Sequence, residues 1–185
     1  MISSRGMITE RGRLRMEGKF YIAYGSNLSI AQMKYRTPDA EIVGTAVLRG
    51  WRLLFRQYAT IKRSAKFDTP VLIWKISKQD EKNLDRYEGY PKFYIKENLK
   101  VAVTSLDGED LGEMTAMVYI MTSEAVKIRK NHALPSSQYF SILQEGYEAF
   151  GFDEEILVQA RREAFSLTFK PESQVIRRAN QPTTA

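Results

Sequence analysis

The sequence predicts an α+β fold: a small, mostly antiparallel sheet, curved or closed into a β-barrel, with flanking helices. Three observations carry that prediction. Short runs of aromatic and β-branched residues recur between Phe20 and Met121, separated by Gly and polar breaks. The helical patterns among them are few, so the strict strand–helix alternation of a parallel sheet is absent. The stretch from about 136 to 165 is helical, which places its helices at the edge of such a sheet.

Taken in order, Phe20-Tyr21-Ile22-Ala23-Tyr24 reads as a strand that stops in a tight turn at Gly25-Ser26-Asn27. A helix follows, capped by Ser29 or Asn27, with Ile30, Met33 and Tyr35 as its apolar face and Pro38 as its stop. Four strand-like runs come next: Ile42-Val43, Ala46 to Leu48, Trp51 to Phe55 and Tyr58 to Ile61, broken by Gly44, Gly50 and polar residues. Val71 to Ile76 is a further strand. Ser77 then opens a short helix that ends at Gly89, the residue type that most readily closes a helix in the left-handed conformation. Strands over 93–104 and 113–121, joined by a turn at Leu106 to Asp110, make a hairpin. Residues 123–134 read as a long basic loop. In the last part, one helix starts at Ser136-Ser137-Gln138 and buries Tyr139, Phe140, Ile142, Leu143, Tyr147 and Phe150. A second spans about Asp153 to Ala164.

The 185 residues suit a single domain over 20–168, with a flexible basic leader at 1–19 and a flexible tail at 169–185. The net charge of +6 is concentrated at those ends: residues 20–168 hold 20 basic and 19 acidic groups, too even a balance for a dedicated nucleic-acid surface. Cysteine is absent, which excludes disulfides, thiolate metal sites and a Cys nucleophile. The single histidine, His132, excludes a multi-histidine metal cluster and has no Ser or Asp partner at a recognisable spacing. No segment approaches the roughly 20 apolar residues that span a bilayer. Arg5, Arg11, Arg13 and Arg15 interrupt any secretory signal, so the expected address is the cytoplasm, with no membrane partner.

Two motifs can carry chemistry. At Tyr24-Gly25-Ser26-Asn27 a strand gives way to a helix, and successive N–H groups in such a turn can form an anion-binding nest, although the same residues also make ordinary turns. The further glycines of a dinucleotide fingerprint and the Gly-Lys-Ser/Thr of a P-loop are missing. Glu88 ends Leu84-Asp85-Arg86-Tyr87-Glu88 just before Gly89, among Tyr87, Tyr90, Phe93 and Tyr94. A carboxylate partly desolvated there has a raised pKa suited to general acid–base work; the alternative is a surface Glu at a helix end. Tyr94, Tyr119 and Tyr139 stand beside element ends, where a phenol reaches a ligand or simply packs.

The order of Tyr21-Ile22-Ala23-Tyr24-Gly25-Ser26-Asn27-Leu28, Leu84 to Gly89, Tyr94, Tyr119-Ile120-Met121-Thr122 and Pro135-Ser136-Ser137-Gln138-Tyr139 resembles the γ-glutamylcyclotransferase family, including its AIG2-like branch, over roughly residues 20–150. The resemblance implies a small barrel and a cofactor-free enzyme. It implies release of an amine from a γ-glutamyl amide, with formation of 5-oxoproline by attack of the substrate's own α-amino group. The nucleophile then arrives with the substrate. By the same resemblance, Glu88 is the catalytic acid–base group, and Tyr21, Ile22, Ala23, Tyr24, Gly25, Ser26 and Asn27 bind the glutamyl arm. Tyr119 and Tyr139 line the pocket, while Tyr94 either steadies Glu88 or meets the substrate. A small γ-glutamyl substrate is the expected partner, and the expected assembly is a monomer or homodimer. Two departures bear on substrate choice. Lys96 stands where several relatives have Arg, and Asn27 stands where the glutathione-specific branch usually has Leu, which points away from glutathione. The competing reading keeps the fold without catalysis, as a binding module for a small γ-glutamyl or carboxylate ligand.

Overall fold

A computed structural model describes residues 18–169. Five strands close into a barrel: β1 (Lys19–Ala23), β2 (Glu41–Arg56), β3 (Tyr58–Ile76), β4 (Tyr94–Thr104) and β5 (Asp110–Met121). Their order around the barrel is β1-β3-β2-β4-β5. Pairing is antiparallel except where β1 meets β5, with Tyr21 opposite Met117. Among the described residues the helices are α1 (Ile30–Arg36), α2 (Lys78–Glu88), α3 (Ser123–Ile128), α4 (Ser137–Ala149) and α5 (Glu155–Thr168), with 3-10 turns at Ser26–Leu28 and Lys130–His132. Among the described residues no helix is long and apolar enough to cross a membrane.

The expected α+β barrel is present, and its strands are longer than their hydrophobic runs. The runs from Ile42 to Phe55 fuse into β2, and those from Tyr58 to Ile76 fuse into β3. Gly44 marks a one-residue shift in the ladder, whereas at Gly50 the pairing jumps from Arg49 opposite Asp68 to Trp51 opposite Arg63, an interruption of the ladder within strands that both continue. Gly44 is required sterically: a Cβ there would meet the backbone carbonyl of Thr104. The core includes Ile22, Leu72, Ile73, Met117 and Val118, all essentially inaccessible to solvent, so both faces of the sheet are covered where consecutive residues are buried. Burying such side chains contributes about 1.5–3 kcal/mol each before entropy is counted.

The helices follow their caps. Ser29, not Asn27, caps α1, its side chain accepting from Gln32 N–H. Met33 is the buried residue of α1, whereas Tyr35, expected on the apolar face, is 92% exposed because the short helix packs only one narrow stripe. Ser77 and Asp80 form a reciprocal capping box on α2, and Gly89 closes it with φ +66°. The stretch read as a loop at 123–134 contains α3 and a 3-10 turn, started by Thr122, whose hydroxyl accepts from Ala125 N–H. Along α4, Phe140, Leu143, Gly146 and Tyr147 are buried, but Tyr139, Ile142 and Phe150 are only half-buried. The final helix runs one turn beyond its expected end.

The expected leader and tail lie outside the described residues, apart from Gly18, Lys19 and Phe169. Lys19 is not part of a leader: it opens β1 opposite Ile76, and its ammonium pairs with Glu81 at 2.7 Å.

Gly146 lets α4 approach the turn that follows β1. A Cβ at this position would lie 2.6 Å from Leu28 Cβ, an atom fixed to the backbone. Gly146→Ala is therefore expected to destabilise the fold by about 1–3 kcal/mol, despite its gain in helix propensity. Urea unfolding of the two proteins checks this.

Candidate active site

The site is assembled where β1 leaves the barrel. After Ala23 the chain makes the 3-10 turn, closed by Leu28 N–H donating to Gly25 C=O at 2.9 Å. The first N–H groups of such a turn have no acceptor within it. Gly25 packs closely under α4: a Cβ there would lie 3.3 Å from Ala59 Cβ and 3.4 Å from the Tyr139 hydroxyl. The turn is held from inside the barrel by Trp74, whose indole N–H donates to Asn27 C=O at 3.1 Å.

Glu88 arrives from the opposite side, on the last residue of α2. Its Oε1 accepts from Asn27 Nδ2 at 3.0 Å, and the same Nδ2 donates to the Tyr21 hydroxyl at 2.6 Å. Asn27 Oδ1 accepts from Arg36 Nη1 at 2.6 Å. Arg36 Nη2 donates to the Tyr87 hydroxyl at 2.6 Å, and the guanidinium lies 3.5 Å over the Tyr87 ring. Desolvation by burial pushes the Glu88 carboxyl up to about 7, with the Asn27 hydrogen bond and the Arg36 charge pulling against it. At neutral pH the group is therefore divided between its two protonation states, as a proton-transfer residue must be.

Glu88 borders two adjoining chambers. The inner one, about 30 Å³, lies against Tyr21, Tyr24, Gly25, Ser26, Asn27 and Ala59. The outer one, about 360 Å³, is walled by Tyr58, Phe93 and Met121 and carries Arg86 and Arg129. Ser26, Glu88, Tyr94 and Tyr139 border both.

The tyrosines divide by what their hydroxyls do. Tyr24 donates to Tyr119 C=O at 2.6 Å, Tyr94 to Ala59 C=O at 2.9 Å, and Tyr119 to Asp85 Oδ1 at 2.6 Å. Those protons are committed to the frame. Tyr94 thus makes no hydrogen bond to Glu88 and offers the chambers its ring. Tyr139 differs, because its oxygen accepts from Ala59 N–H at 3.2 Å, which leaves its own proton to donate. Burial raises the pKa of all four phenols, so each stays neutral.

Of the residues expected to bind, Tyr21, Tyr24, Gly25, Ser26, Asn27, Tyr94, Tyr119 and Tyr139 converge with Glu88. Ile22 and Ala23 do not: they are packed in the barrel and line neither chamber. Lys96, standing where an Arg was expected, pairs with Asp85 at 2.6 Å and Glu81 at 2.7 Å and so supports the helix that carries Glu88. Sequence reasoning passed over Arg36 and Tyr58, and reached Arg129 only as one cation of the basic loop at 123–134, which was open to covering a pocket or to being simply solvated. The one available signal was for Arg36, a cation in the last turn of the helix that starts directly after the loop.

A closed barrel that half-buries one neutral-range carboxylate beside a tight backbone turn defines a small-molecule pocket equipped for acid–base chemistry. Comparison with known proteins gives the family: residues 21–141 match the family described as gamma-glutamyl cyclotransferase, AIG2-like, and the chain belongs to it. It is 27% identical over 158 residues to the mouse gamma-glutamylcyclotransferase, an alignment that covers 78% of this chain and 79% of that one. It is 29% identical over 148 residues to the human gamma-glutamylcyclotransferase, covering 73% of each. A solved structure titled gamma-glutamyl cyclotransferase superposes with a TM-score of 0.62 at 24% identity, covering 88% of this chain and 99% of that one, and shows the shared fold.

The raised Glu88 pKa carries a consequence for stability. Between its unfolded value near 4.5 and about 7 the folded state holds a proton that the unfolded state has lost. Stability therefore falls as pH rises through that window. Glu88→Gln, which cannot ionise, is expected to be more stable than the parent by about 3 kcal/mol at pH 8 and nearly equal to it at pH 4. Chemical denaturation at the two pH values measures the difference.

Proposed function

We propose that the protein is a γ-glutamylcyclotransferase-type acyltransferase that releases an amine or amino acid from a γ-glutamyl amide and forms 5-oxoproline. The observation that carries this reading is Glu88, a single carboxylate poised near neutrality at the junction of the two chambers. The names of the mouse and human relatives support it.

In this reading the α-carboxylate end of the glutamyl arm points into the inner chamber, which is too small for the rest of the arm, and meets the turn N–H groups of Tyr24 to Asn27. The departing group occupies the outer chamber. Glu88 takes a proton from the α-ammonium, and the freed amine attacks the γ-carbonyl carbon, closing a five-membered ring. The Tyr139 hydroxyl donates toward the oxygen as charge builds on it. As the tetrahedral centre collapses, the C–N bond of the amide breaks and Glu88 returns its proton to the departing nitrogen; the ring nitrogen then gives up its second proton through the same carboxylate, leaving a neutral lactam and the released amine as its ammonium. No group is gained or lost beyond the lactam and the amine. The pocket contributes chiefly by holding the arm in the folded conformer, since a well-oriented intramolecular attack has a high effective molarity.

The test is 5-oxoproline release from a panel of γ-glutamyl amino acids, γ-glutamyl-ε-lysine, γ-glutamyl amines and glutathione. Turnover by the parent, with kcat/KM rising with pH through about 7, is expected. Folded Glu88→Gln should lose roughly 10²–10⁴-fold in kcat. Binding of these compounds with no product from any would replace the enzyme by a binding module.

A further inference from the structure

We propose that Arg36 is a positioning residue for Glu88, acting through the side-chain amide of Asn27. The inference rests on the reading of Glu88 as the proton-transfer group, and it stands on geometry that nothing in that mechanism uses.

An asparagine amide has two faces of opposite character. Turned one way it offers Glu88 two N–H donors; turned the other way it puts a carbonyl oxygen against a carboxylate. Arg36 decides between them. A guanidinium has donors only, so the atom 2.6 Å from Arg36 Nη1 is the amide oxygen, which turns Nδ2 toward Glu88 Oε1 and the Tyr21 hydroxyl. Arg36 is itself fixed. Its Nη2 is bonded to the hydroxyl of Tyr87, its plane is stacked on the Tyr87 ring, and Nη1 also reaches Ser26 Oγ at 3.3 Å. Tyr87 is the residue before Glu88 on α2, so the guanidinium joins the turn after β1 to the helix that carries the carboxylate. One consequence concerns the two carboxylate oxygens. Oε1 is tied to Asn27, while among the described residues Oε2 has no hydrogen-bond partner, which makes Oε2 the atom that exchanges the proton.

The other charged groups around Glu88 do not duplicate this role. Arg86 and Arg129 belong to the walls of the outer chamber, and Asp85 is already paired with Lys96 and bonded to Tyr119. The tyrosines that face it from β1, β4, β5 and α4 are Tyr21, Tyr94, Tyr119 and Tyr139, all neutral in the working range. Of the cations, it is Arg36 whose charge opposes the effect of burial on Glu88.

The experiment is a carbon-13 NMR titration of glutamate-labelled protein, with Glu88→Gln used to assign the Glu88 carboxyl signal. It is run on the parent, Arg36→Met and Arg36→Lys, each with thermal unfolding as a check on folding. Losing the charge and the orienting donor is expected to move the Glu88 midpoint upward by roughly one pH unit in Arg36→Met. Arg36→Lys, which keeps the charge, is expected to recover most of that shift. Arg36→Leu, which likewise has neither the charge nor a donor toward Asn27, is read in the same way if Arg36→Met does not fold. A folded variant lacking the charge whose Glu88 titrates as in the parent overturns the proposal. In turnover the acid limb of kcat/KM should follow the NMR midpoint; a uniform loss at every pH with the limb unmoved also overturns it. Absence of turnover in the parent would sink the catalytic reading alone, because the titration reads Arg36 without any substrate.

Discussion

A half-buried carboxylate is costly unless something donates to it, and here the donor is the amide of Asn27. The hydrogen bond from Asn27 to Glu88 is the contact on which the site depends, because its two partners come from opposite sides of the molecule. Asn27 is fixed to the barrel through its carbonyl and the Trp74 indole. Glu88 is fixed to α2, whose start is locked by the Ser77–Asp80 capping box and whose end is closed by Gly89. The barrel closes around this junction: β1 leaves the sheet just where the amide is needed, and the gap it leaves is the inner chamber. A better donor set would ionise the carboxylate outright, and none at all would keep it protonated. One amide and one nearby guanidinium hold it between the two.

The parts of the site that were legible in the sequence lie where elements change. Tyr24 to Asn27 ends a strand and Glu88 ends a helix, and chain punctuation by Gly and Ser makes such positions visible in one dimension. Arg36, Tyr58 and Arg129 gave no comparable sign. Their places depend on how α1, the β2–β3 hairpin and the segment after α3 fold onto the barrel mouth, which no local pattern encodes. The same limit explains the fused strands. A glycine in a strand pattern signals either a break or a bulge, and only the partner strand decides; at Gly44 the β3 ladder runs on past a single extra residue, and at Gly50 it resumes after a gap in the pairing. Tyr35 misled for a related reason, since a two-turn helix buries one stripe, and Met33 already fills it.

Ten tyrosines in 185 residues invite a reading of many ligand contacts. Those around the site are mostly carpentry. Tyr24, Tyr94 and Tyr119 each spend their proton on a fixed acceptor, so their rings shape the chambers while their hydroxyls brace backbone or helix. This leaves Tyr139 as the tyrosine at both chambers whose hydroxyl proton is not committed to the frame.

The β2–β3 hairpin pairs with itself from Arg56 opposite Tyr58 at its tip to Glu41 opposite Lys75 at its base. The tip residue Gln57 donates its N–H to Ala133 C=O, and the next two residues, Tyr58 and Ala59, belong to the chamber walls. Contacts at a hairpin tip have the smallest sequence separation in a barrel and close the shortest loops, so they carry the least entropic cost during folding. That wall is accordingly among the parts of the barrel whose closure costs least, whereas the hydrogen bond that joins Tyr139 to Ala59 spans 80 residues and closes a far longer loop.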